Sequence, residues 1–380
     1  MTGDLEKLLH TVWPDWEIVE PIVGVDDETV YKARRQDIVG LREAAIRITA
    51  IPEELDDIND LKMNGLSDDA VRLHLEQLVR EKVRSIQMME VVKDNAHIQR
   101  LDDYKVIRND QTGQWFLIVR MELLTPLRKR LQLAPFTEED VIRLGVDMCS
   151  ALVECHRNNI VHMSVEPGNV FVGKDGGFKL GGFSHARDLT KSTREQSVLL
   201  HPQYTAPEVY KEAKAGLDID AYVRMDIYSL GLVMYYLANN RKMPFIPQEK
   251  QLVSLADREA AFIRRISGDP LPGLTRISRE IEAVILKACA FRMEERYASA
   301  AEMGRALLRL TGQDDPAYQM LAEQSCRQEE EHSANAEHMP AEQVGSMLIS
   351  MEELVGKPVQ PKRTKIKWWQ DLFSVTKHRQ

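Results

Sequence analysis

The chain has 380 residues, enough for one large domain or two lobes with a tail, and 43% of them are apolar, enough for a substantial core. Its net charge of −9 speaks against nucleic acid as the main partner, because phosphate binding needs a basic face. The four cysteines (Cys149, Cys155, Cys289, Cys326) form no CxxC pair, so neither a zinc site nor a redox motif is expected. The opening residues lack the basic and apolar regions of a secretory leader. No run approaches the roughly 18 to 20 apolar residues of a membrane span, so a cytoplasmic location is expected.

In chain order, Trp16–Val23, Thr29–Ala33 and Ala44–Thr49 are short apolar or β-branched runs separated by polar turns and read as strands. Residues 50–66 read as polar and irregular. Ser67 followed by acidic residues is a helix start, and Val71, Leu75, Leu78, Val83, Ile86 and Met89 recur at helical spacing to about Val92. Trp115–Met121 is a further strand. Thr137-Glu138-Glu139-Asp140 opens a helix to about Arg157, a loop-rich stretch runs to Glu208, and helices follow near 222–239, 254–267, 278–290 and 299–312. The pattern predicts an α+β, two-lobed protein, with a small β-rich lobe over about 12–122 and a larger α-rich lobe over about 125–312.

Residues 313–360 carry ten carboxylates against two cations, a net −8, with almost no aromatic residues, so an acidic disordered linker is expected over 313–361. Residues 362–380 reverse the sign, with six Lys and Arg against Asp371, and place Trp368, Trp369, Leu372 and Phe373 among them. They read as a basic amphipathic tail, with weak contact to an anionic membrane surface or a partner's acidic groove as one expectation and a tail folded back on the domain or left disordered as the other.

Several segments resemble the eukaryotic-type Ser/Thr protein kinases of bacteria over roughly residues 12–312. They are Val30-Tyr31-Lys32-Ala33 after a phosphate loop, Ala45-Ile46-Arg47 in place of the V-A-I-K strand, Arg120-Met121-Glu122 at the hinge, and His162 to Asn169 in the catalytic loop. Gly182-Phe183-Ser184 stands at the D-F-G site, Ala206-Pro207-Glu208 keeps A-P-E, and Asp226 to Gly231 and Arg296 follow. The resemblance implies a bilobal protein kinase-like fold. It implies structural roles for His162, Phe183, Met89 and Asp226 in a stacked spine, and an ion pair between Glu208 and Arg296.

The same resemblance exposes departures at the phosphoryl-transfer positions. The three loop glycines fall on Val23, Val25 and Glu28; the strand lysine is Arg47; its helix glutamate aligns with Ser85, with Glu81 one turn earlier. The base aspartate is Ser164, which cannot serve as a carboxylate base near neutral pH, and the lysine two residues on is Glu166. The principal magnesium ligand is Gly182, while Asn169, a secondary ligand, remains. Leu200-His201 replaces the Gly-Thr pair ahead of A-P-E.

On these residues the chain is expected to be a pseudokinase with no intact catalytic residue and no metal site. Its pocket of Val25, Val30, Ala45, Arg47, Met121, Glu122 and Asn169 is read as vestigial, its cofactor as none, and its role as a regulatory or scaffolding module with a protein partner, an active kinase among the candidates. Two alternatives stand beside this: a weakly active or non-standard Ser/Thr kinase that uses ATP and reroutes the chemistry through Glu166 or Asp188, and a nucleotide sensor without catalysis.

Overall fold

The computed structural model describes residues 2–22, 29–190, 202–211 and 219–312. The small lobe is a five-stranded antiparallel sheet in the order β1-β2-β3-β5-β4: β1 Glu17–Ile22, β2 Thr29–Asp37, β3 Gly40–Ile51, β4 Leu101–Arg108 and β5 Trp115–Met121. The long helix α3, Asp68–Val92, packs Ile86 with Ala45, Leu101, Leu117, Val119 and Met121 of the sheet's inner face. Its start follows from local chemistry, because the Ser67 hydroxyl accepts the Ala70 amide at 3.2 Å and Asp68 and Asp69 favour the positive end of the helix.

The outer face of the sheet is covered by α1, Thr2–Val12, with Leu9, Trp13 and Trp16 buried against Tyr31, Ala33, Ile46 and Ile118. The Arg120 guanidinium lies between the two indoles, 4.7 Å from the Trp13 ring and 5.0 Å from that of Trp16, while the Trp13 Nε1–H donates to Asp103. The stretch read as irregular contains a helix, α2, Asp56–Met63. It lacks a side-chain cap at its start and is held by packing Ile58 on Val71 and Leu75 of α3.

The large lobe is built on α5, Glu138–Arg157, and α7, Ile219–Ala238, with α8 Leu255–Ser267, α9 Arg279–Ala288 and α10 Ala300–Thr311 around them. α5 opens on a reciprocal cap in which Thr137 accepts the Asp140 amide and Asp140 accepts the Thr137 amide. Two short helices complete the lobe, α4 Leu127–Leu133 and α6 Glu208–Lys211. Three short-stranded pairings carry the site loops. β7 Ile160–Val161 pairs with β10 Arg187–Asp188; β6 Thr125–Pro126 pairs with β8 Val170–Val172, which pairs with β9 Phe178–Leu180.

Cys149, Cys155 and Cys289 are free and buried, and burial pushes all three thiols up, that of Cys289 to about 12, so they behave as small apolar groups. No helix among the described residues is long and apolar enough to cross a membrane. Val23, Val25, Glu28, Leu200-His201, the acidic stretch and the basic tail lie outside the described residues.

Candidate active site

The site loop between β7 and β8 hangs from one buried carboxylate. Asp226, near the start of α7 and fully buried, accepts the His162 amide and the Met163 amide, each at 2.8 Å, and His156 Nε2 at 3.0 Å. These bonds hold Met163 in the left-handed region, φ 63°, where a branchless long side chain pays a backbone cost. The His162 ring is fully buried; its Nε2 bonds the Gly181 carbonyl at 2.9 Å and its Nδ1 faces the Ser164 amide at 3.3 Å. The ring is therefore neutral with its proton on Nε2, and burial lowers its pKa in agreement.

Phe183 stands edge-on to His162 with ring centroids 4.8 Å apart, and both Phe183 and Met89 of α3 belong to the large-lobe core. Met89, Phe183, His162 and Asp226 are thus brought into one continuous buried group. A-P-E is also pinned: the Glu208 carboxylate meets the Arg296 guanidinium through two bonds of 2.7 and 2.9 Å, with both side chains buried.

At the chemical end, Ser164 and Asn169 hold each other. Asn169 Nδ2 donates to the Ser164 carbonyl at 2.9 Å and to its hydroxyl at 3.1 Å, and the Asn169 carbonyl accepts the Gly181 amide. Gly182 sits in the left-handed region at φ 74°, and a Cβ placed there would lie 2.0 Å from Asn169 Oδ1. Asn169 thus occupies the space that an acid at position 182 needs for its first carbon. Gly182→Asp is expected to cost roughly 1–3 kcal/mol, from displaced packing and a strained backbone. In urea melts, adding Asn169→Ala should recover part of that loss; equal midpoints for Gly182→Asp and the unaltered chain would show that Asn169 moves freely aside.

Glu166 is buried in the same loop, where its carbonyl accepts the Asn169 amide. It lies near enough to Tyr204 to raise that phenol's pKa, although burial is the larger cause. Asp188 is half-buried on β10, and its carboxylate accepts both the amide and the hydroxyl of Thr190. Arg47 is half-buried on β3 opposite Val30 and Val119. Ser85 is buried and turns its hydroxyl onto the Lys82 carbonyl at 2.7 Å, and Glu81 is half-buried one turn before it.

The apolar end of the cleft has Ala45 and Met121 as register partners of β3 and β5, with Val30 packed beside them. Glu122 is fixed from several sides. Its amide donates to the Arg100 carbonyl, its carbonyl accepts Gln99 Nε2 at 3.1 Å, and its carboxylate takes Lys179 Nζ on both oxygens at 3.0 Å. Lys179 and buried Gln99 carry no local sequence signal for this role, because the pairing joins residues 57 and 23 positions apart.

The family described as protein kinase domain matches residues 69–306, more than half of the chain. The chain belongs to the protein kinase domain family. The match begins at α3, so strands β1 to β3 lie ahead of it. Among its relatives is serine/threonine-protein kinase PknB of Mycobacterium leprae, 35% identical over 201 residues that cover 50% of this chain and 30% of the relative. PknB of Mycobacterium tuberculosis is 33% identical over 189 residues, 48% and 28% of the two chains. A probable serine/threonine-protein kinase PknB of Corynebacterium glutamicum is 32% identical over 187 residues, 46% and 27%. The aligned part spans less than a third of the length of these relatives.

These relatives correct two expectations drawn from the sequence. Their naming as serine/threonine-protein kinases points to an enzyme, where an inactive protein was expected, and to the ATP and magnesium that kinases use, where no cofactor was expected. The expectation rested on departures at several functional positions taken together, and it is the framework around them, matched over residues 69–306, that the relatives share. The apolar end, with Ala45, Met121 and Val30, suits an adenine ring. Magnesium is another matter: among the described residues no group of three His, Cys, Asp or Glu side chains could hold a metal, and Asn169, whose Nδ2 is bonded to Ser164, offers a cation its Oδ1 alone. The side chains here do not fit magnesium as a protein-anchored ion.

Proposed function

We propose that the chain is a non-standard Ser/Thr protein kinase that binds ATP and transfers its phosphate with a rearranged set of groups. The observation that carries this is Glu166, a buried carboxylate in the loop hung from Asp226, two residues beyond a Ser164 that Asn169 holds. Ala45, Met121 and Val30 form the face for the base, and the Glu122 carbonyl, which already accepts Gln99, has a second lone pair for a donor from the ring. Arg47, one register position from Ala45's neighbours on β3, supplies a permanent positive charge for the phosphates. ATP supplies the transferable phosphate. Glu166 takes the proton from a serine or threonine hydroxyl as that oxygen bonds to the γ-phosphorus, whose bond to the β–γ bridging oxygen breaks to release ADP; the base role is worth about 10²–10⁴ in rate.

The test is transfer of label from ATP to a serine- and threonine-containing acceptor protein, for the unaltered chain, Glu166→Gln and Asp188→Asn. Transfer that falls by about 10²–10⁴ in Glu166→Gln and is kept in Asp188→Asn supports the reading. No transfer by the unaltered chain, or equal transfer by Glu166→Gln, overturns it.

A further inference from the structure

A cavity of about 430 Å³ lies in the large lobe between the stretch that follows residue 201, the end of α7 and α8. Its lining shares no residue with the apolar end of the cleft described above, though Tyr204 lies within electrostatic reach of Glu166. Its floor is aromatic, with Tyr204, Tyr236 and Phe262, and its rim carries Arg241, Lys242 and Arg258. One wall is Arg265, which is buried and fully engaged: its guanidinium donates to the Pro202 and Thr205 carbonyls and the Tyr228 hydroxyl and lies over the Phe262 ring.

The rim arginines are different. Neither Arg241 nor Arg258 has a carboxylate partner among the described residues, and both stand close enough to the Tyr236 phenol to act on its charge. Two neighbouring carboxylates are engaged elsewhere, while Glu249 and Glu259 adjoin Lys250 and Arg258 in the chain. Asp257 pairs with Lys250 at 2.5 Å and caps α8, and Asp269 pairs with Arg264 at 2.7 Å. An aromatic cavity whose rim carries two arginines without a carboxylate partner among the described residues suits an anionic ligand that also brings apolar side chains.

The chain itself contains such a ligand. Residues 313–360 carry a net −8, and residues 347–355, Met-Leu-Ile-Ser-Met-Glu-Glu-Leu-Val, set Glu352 and Glu353 among Leu348, Met351 and Leu354. The 34 residues between Gly312 and Met347 reach up to about 110 Å when extended, so distance does not limit the encounter. Tethering also supplies an effective concentration of order millimolar, so weak contacts suffice.

We propose that residues 347–355 dock in this cavity, with Glu352 and Glu353 on Arg241 and Arg258 and with the leucine and methionine side chains on the aromatic floor. The docked segment would rest on Tyr204 and Phe262, beside the Arg265 that fixes the stretch leading into Ala206-Pro207-Glu208. The acidic segment would thereby report on, and steady, that stretch. None of this depends on phosphoryl transfer.

The experiment is zero-length carbodiimide coupling of the full chain at low salt, followed by peptide mapping. The expected product is an amide between Lys242 or Lys250 and Glu352 or Glu353, in the monomer band. In Arg241→Glu/Arg258→Glu its yield should fall about tenfold, the effect of losing two charge pairs at a partly exposed site. Leu348→Asp/Leu354→Asp keeps both glutamates and leaves the cavity untouched, and should lower the yield as well. Absence of the product, its appearance in the dimer band alone, or a yield unchanged in both double variants would each overturn the proposal.

Discussion

Replacing Arg296 by alanine is expected to lower stability by about 3–5 kcal/mol, because it leaves a buried carboxylate without its counter-ion. The Arg296 side chain is wholly buried. Besides its two bonds to Glu208, its Nε donates to the Ala290 carbonyl at 2.8 Å, and its terminal nitrogens reach the Arg224 carbonyl at 3.2 Å and the Phe291 carbonyl at 3.3 Å. The guanidinium also lies 4.5 Å from the Tyr228 ring. Every polar edge is therefore used, which is the condition under which a buried ion pair repays its desolvation. Alanine would orphan Glu208 and three carbonyls together and detach the A-P-E stretch from the α9–α10 connection.

The informative comparison is with both charges removed. Glu208→Leu/Arg296→Met should be closer to the unaltered chain than Arg296→Ala is, because neither charge is then stranded. Urea unfolding followed by far-UV dichroism reads both. A midpoint for Arg296→Ala within the range of a surface pair, about 0–1 kcal/mol, would show that the pair does not hold the segment.

Much of the fold is legible in the sequence because its elements announce themselves locally. Ser67 with two aspartates, Thr137 with Asp140, and Ser254 with Asp257 mark helix starts through bonds made within four residues, and the structure places α3, α5 and α8 there. Trp115–Met121 is a strand with the same limits in sequence and structure, since a continuous apolar run in the middle of a sheet has no other stable place. Three elements escape such reading for identifiable reasons. α2 has no cap and is held by Trp115 and the buried face of α3. β4 alternates charged residues with weak apolar ones and owes its place to its pairing with β5. α1 is short, and its Leu9 is buried only because the sheet's outer face lies beneath it.

The site divides in the same way. The positions of Ser164, Glu166, Asn169 and Gly182 follow from motif order, but their mutual geometry does not. That Asn169 fills the room beside Gly182, and that Lys179 and Gln99 clasp Glu122, are facts of packing between residues far apart in the chain. Glu166 and Asp188 are legible in the sequence as carboxylates near the site, but their burial and their bonds within the loop are not.

Replacing Asp226 by alanine is expected to have an effect of similar size, about 3–5 kcal/mol, and to act directly on the site loop. Its two oxygens carry three bonds, and two of the donors are the buried amides of His162 and Met163. Each buried amide left unpaired costs about 1–3 kcal/mol. The left-handed Met163, whose backbone costs about 1–2 kcal/mol in that conformation, would lose the bond that holds it there. Asp226→Asn should fall between the two, because its amide offers one oxygen and presents a donor to a donor at the other position. The consequence is positional as well as energetic. His162 sets the Ser164 amide and the Gly181 carbonyl, and Gly181 is joined to Asn169, so a loosened loop moves the whole group that surrounds Gly182. Amide hydrogen exchange at His162 and Met163 should therefore quicken in Asp226→Asn more than global stability predicts, and label transfer should fall with it. Exchange at these two amides that tracks global unfolding alone would mean that the loop is held by its flanking strands, β7 and β8, and that Asp226 is only a buried acceptor.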